Sequence, residues 1–61
     1  MKLPALLYDY LEETEQDADR MTQAKLLEEA KWVLWNNEIG EGYGTPAQVR
    51  ALKMFIRRVS Q

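Results

Sequence analysis

One segment, Lys25–Ile39, constrains the fold of this chain more than any other. At about 100° per residue, Leu26, Leu27, Ala30, Val33 and Leu34 gather in one arc. Ala24, Trp32, Trp35 and Ile39 gather in a second, nearly opposite arc. Lys25, Glu29 and Asn36 separate the arcs on one flank, Lys31 and Glu38 on the other. A surface helix carries one apolar stripe and a polar back. Two stripes require apolar neighbours on two sides. Either the chain's other helices cover both, making this the middle helix of a bundle, or the second stripe meets another molecule.

Length sharpens that requirement. Sixty-one residues make a single domain, 1–61, and a chain this short buries only about 60% of the surface its unfolded form exposes. Small domains therefore need a staple, a partner or very good helix packing. There is no cysteine and no histidine, so disulfides are excluded and the usual zinc, haem and iron–sulfur ligand sets are missing. No metal and no cofactor is expected. A hydrophobic content of 46%, with two Trp, three Tyr and one Phe, argues for a folded domain rather than a disordered one.

No uninterrupted apolar run is longer than Ala5–Tyr8, far short of the about 20 residues a membrane span requires. Met1-Lys2-Leu3-Pro4 reaches Asp9 too soon for a signal peptide. The expectation is a cytoplasmic protein with no membrane association. Its net charge of −2 is unevenly laid out. Residues 3–19 hold Asp9, Glu12, Glu13, Glu15, Asp17 and Asp19 without a Lys or Arg; residues 46–61 hold Arg50, Lys53, Arg57 and Arg58 without a carboxylate.

The punctuation predicts an all-α fold of three helices, near 4–20, 22–39 and 45–59, packed as a compact bundle or a dimer of such units. Pro4 suits a first helical position. Leu3, Leu6, Leu7, Tyr10, Leu11, Thr14, Ala18 and Met21 share one broad face of the first helix. Carboxylates near residue 19 disfavour its end. Thr22 can cap a second helix, with Met21 and Leu26 placed for a hydrophobic staple; Asp19 is the alternative cap. A continuous helix from Pro4 to Glu38, roughly 50 Å long, is the competing possibility, and it could bury its apolar surface only in a dimer. Gly40 suits the left-handed position that ends the second helix. Glu41-Gly42-Tyr43-Gly44 follows as a connector, with Tyr43 expected to fold back over the Trp stripe. Thr45-Pro46-Ala47-Gln48 is a capping box, and Val49, Leu52, Phe55, Ile56 and Val59 form one apolar arc behind it.

Most chemistries find no support. Nucleophilic catalysis needs an activated nucleophile and an orienting base, and Thr45 is committed as a cap. The pairs Glu12/Glu13 and Glu28/Glu29 lie on polar arcs, where solvation keeps acid–base roles away. An enzyme is not expected, and no small-molecule substrate is evident. Asp17-Ala18-Asp19 lacks the third ligand and the glycine of a calcium loop. The glycines of 40–44 lack the Lys-Ser/Thr of a phosphate loop, and Glu41 would repel phosphate.

Three contact surfaces remain. Trp32, Trp35, Ile39 and Tyr43 form a candidate protein interface, since Trp buries a large area at little entropy cost; coverage by the third helix and the connector is the alternative. Arg50, Lys53, Arg57 and Arg58 form a basic ridge. It suits nucleic acid less well, because the connector is longer than a helix-turn-helix allows and the chain is acidic overall. The acidic first segment could mimic nucleic-acid charge and inhibit a basic host protein, though six carboxylates are few for that. The leading expectation is a small accessory or regulatory protein that works by contact with a protein partner or with itself. A short phage or bacterial frame is compatible with its size.

Overall fold

The computed structural model describes residues 2–40, 42 and 44–61. It is all-helical: α1 (Ala5–Glu13), a 3₁₀ turn (Ala18–Arg20), α2 (Gln23–Glu38) and α3 (Pro46–Ser60). The principal extents of 29 × 27 × 17 Å exclude the long continuous rod.

The first helix ends earlier than its apolar periodicity predicts. Glu15 adopts φ 57°, and two bonds close a Schellman motif around it. The Glu15 amide donates to the Glu12 carbonyl (3.1 Å) and the Gln16 amide to the Leu11 carbonyl (2.9 Å). A glutamate thus fills the slot glycine usually occupies. Thr14, placed by periodicity on the apolar face, is instead the exposed C-cap, and its hydroxyl donates to the Tyr10 carbonyl (2.9 Å). Asp19 does not cap α2. Asp17 caps the 3₁₀ turn by accepting from the Asp19 amide (3.1 Å), while Thr22 caps α2 by accepting from the Lys25 amide (3.1 Å). Met21 packs against the core cluster to which buried Leu26 belongs, in the placement a hydrophobic staple uses.

α2 ends where the sequence marks its stop, with Gly40 at φ 84°. α3 begins with both halves of the capping box: the Gln48 amide donates to Thr45 Oγ1 (3.2 Å), and the Thr45 amide to Gln48 Oε1 (3.0 Å). Between the two helices, Asn37 acts as a clasp. Its Nδ2 donates to the Val33 carbonyl (3.0 Å), and its Oδ1 accepts from the Gly44 amide (3.0 Å).

The core is Leu6, Leu7 and Leu11 from α1, Leu26, Ala30 and Val33 from α2, and Leu52 and Phe55 from α3. Leu3, Tyr10, Ala18, Met21, Leu34, Val49, Ile56 and Val59 pack around it. Among the described residues no polar or charged side chain is buried. No helix described is long and apolar enough to cross a membrane.

Candidate interaction surface

The buried residues of α2 all belong to its first arc. α1 and α3 therefore share one side of this helix, and the second arc faces outward. Trp32 is 49% exposed, Trp35 54% and Ile39 50%. About half of each side chain is thus left uncovered; Tyr43, expected to fold back over this stripe, lies outside the described residues.

The two indoles are not independent. Their ring centroids stand 5.6 Å apart with planes 22° from parallel, an offset stack of the kind aromatic pairs prefer. Residues three apart on a helix are neighbours, so each ring limits the other's rotamers. Ile39 continues the stripe one turn further on. Glu28, one turn before Trp32, is exposed in line with it.

A polar seam anchors the base of the stripe to α1. The Tyr10 phenol is pushed above its ordinary pKa, first by partial burial and then by the charge of Glu29 and a hydrogen bond to it; Lys25 and Trp32 act in the opposite direction. Lys25 Nζ lies 3.4 Å from Glu29 Oε1. Tyr10, Glu29, Lys25 and Trp32 thus meet where α1 crosses α2. Periodicity marks Glu29 only as a border residue, and nothing in the sequence pairs it with Tyr10. Tyr8, earlier on α1, is exposed, and the hydrogen bond and charge of Glu12 raise its pKa.

The basic ridge is exposed at all four positions, Arg50, Lys53, Arg57 and Arg58. It is not uniformly available, because Lys53 Nζ sits 3.4 Å from Glu38 Oε1 and ties α3 to the end of α2. Arg58 borders a shallow groove with Leu3, Gln23, Phe55 and Val59. Of the acidic residues, Glu15, Asp17 and Asp19 leave α1 altogether, so the six carboxylates do not share one helix face. Among the described residues no group of three or more side chains is placed to hold a metal ion.

Comparison with known proteins adds no relative. No family model matches the chain, and no curated protein or solved structure is significantly similar to it.

Proposed function

We propose that this chain is a small non-enzymatic interaction protein, an accessory or regulatory factor that works by contact through the outer face of α2. One observation carries the reading. Trp32 and Trp35 lie stacked and half exposed, with Ile39 half exposed beside them. Trp is among the few residue types that dominate protein interfaces, and apolar residues at i, i+3 and i+7 have the spacing with which a helix docks on a partner. Stacking adds preorganisation: an anchor already held in place loses less entropy on binding.

A photo-crosslinking residue in place of Glu28, on the stripe, tests this in the producing cell against the same residue at Ala47 on α3. The expected result is a discrete crosslinked protein species from position 28 and none from position 47. Equal, diffuse labelling from both positions, or none from position 28, refutes the docking face.

A second reading, nucleic-acid binding by α3, draws on the exposure of Arg50, Arg57 and Arg58. The net charge of −2 weighs against it, since an acidic chain opposes phosphate affinity. The charge-mimic reading draws on the same six carboxylates, of which Glu15, Asp17 and Asp19 lie beyond α1, and it rests on fewer charges than such mimicry calls for.

A further inference from the structure

The outer face of α2 carries a charge pattern as well as an apolar one, and the pattern is self-complementary. Lys31 and Glu38 lie on the same flank of the Trp stripe, about two helical turns apart. Both are exposed. Among the described residues Glu38 reaches only the exposed Lys53, with both side chains 53% accessible, a pairing that such exposure makes weak. No ion pair to Lys31 is found among the described residues.

Two antiparallel copies of α2, related by a two-fold axis midway between Trp32 and Trp35, place Trp32 against the partner's Trp35 and Trp35 against the partner's Trp32. In an antiparallel pair, like flanks meet. Lys31 then falls within about 3 Å, measured along the axis, of the partner's Glu38, well inside the reach of two long side chains. The symmetry repeats the contact, so each Lys31 meets the Glu38 of the other copy. Ile39 lies over the aliphatic stem of the partner's Glu28. This is an isologous interface, in which one patch complements itself.

We infer that the occupant of the α2 docking face is a second copy of this chain, paired antiparallel through Trp32 and Trp35 and set in register by reciprocal Lys31–Glu38 contacts. The inference rests on the docking face proposed above and names its partner. The area bounds its strength. Half-exposed Trp side chains and one Ile offer about 300 Å² per copy, below the about 1,200 Å² total of stable complexes. A weak dimer follows, with a dissociation constant of tens to hundreds of micromolar.

Sedimentation equilibrium of the purified chain and its variants, with circular dichroism to monitor fold, tests the inference. The wild type should dimerise with rising concentration, and Trp35→Ala should abolish that without loss of helix. Lys31→Glu and Glu38→Lys should each weaken association about tenfold, because each converts two attractive contacts into repulsive ones. The double variant should return to within about twofold of wild type. Lys53→Gln controls for the intramolecular pair and should leave dimerisation unchanged. The chain has no cysteine, so an Ala24→Cys spin label reports direction: backbones at this position lie about 30 Å apart across antiparallel helices and adjacent across parallel ones.

A monomer at millimolar concentration, single swaps without effect, no rescue in the double variant, or adjacent spin labels overturns the inference. If the chain stays monomeric while a crosslinker at position 28 captures a different protein, self-pairing fails and the docking face stands. If neither self-association nor capture occurs, both fail.

Discussion

Replacing Glu15 with glycine should make this protein more stable, although glycine ordinarily weakens a helical chain. Glu15 sits at φ 57°, where an L-residue loses about 1–2 kcal/mol to the clash of its Cβ with the backbone. Glycine removes that cost but gives back about 0.5–1 kcal/mol through the greater freedom of the unfolded chain. The Glu15 side chain is exposed and makes no hydrogen bond or ion pair among the described contacts, so little is lost with it. Its carboxylate also stands at the negative end of α1, and removing it adds a few tenths of a kcal/mol. The net gain is about 1 kcal/mol, which in a domain of this size raises Tm by about 4–8 °C. Thermal and urea unfolding followed by far-ultraviolet circular dichroism measure it. Glu15→Ala separates the contributions: it removes the charge but keeps the Cβ, so it should recover only the electrostatic part. If Glu15→Gly proves no more stable than Glu15→Ala, the left-handed conformation at this residue carries no net strain.

The connector should be as intolerant as the Glu15 turn is improvable. A Cβ on Gly44 would meet Leu6 Cδ1 at 2.6 Å and Asn37 Oδ1 at 2.9 Å, so Gly44→Ala should cost about 1–3 kcal/mol, and Asn37→Ala, which unties the same clasp, about 1 kcal/mol; urea midpoints report both. Alkaline pH should destabilise the fold through Tyr10 and Tyr8. Their folded pKa values lie above the ordinary value of 10.0, so the folded state holds its phenolic protons more tightly than the unfolded state. The stabilisation is full below pH 10 and lost as pH rises through the folded pKa. Absorbance at 295 nm should show Tyr8 and Tyr10 ionising late, and Tyr10→Phe should flatten the stability loss; early ionisation of Tyr10 would contradict the seam.

Legibility in the sequence followed how local each determinant is. The caps at Thr22 and Thr45 and the stop at Gly40 were readable because each depends on a few neighbouring residues and specific hydrogen-bonding chemistry. The stop at Glu13 was not, since glutamate carries no signal for a left-handed slot and the apolar period runs on through Ala18 and Met21. The core arcs of α2 and α3 were readable from periodicity alone. Which side of α2 the other helices choose was not: with two apolar arcs, the pattern permits either one helix on each arc or both on one. The structure places both on the Leu26–Ala30–Val33 side, and the Trp face is what that choice leaves outside. Tyr10 and Glu29 carry no signal in the sequence for the related reason that their partnership exists only once α1 and α2 cross.

A last consequence concerns the interior. Every fully enclosed side chain described is hydrocarbon or aromatic, and aliphatic interiors accept exchanges among Leu, Ile, Met and Phe as long as volume is kept. Such a centre gives cohesion but little uniqueness, so selecting one arrangement of the three rods falls to their ends: a hydroxyl at Thr22, another at Thr45, and the amide of Asn37. Volume-conserving replacement of the greasy positions should then be widely survivable, whereas losing each of these few polar groups costs about 1 kcal/mol, and losing all three together should yield chains that still collapse but no longer agree on a single shape.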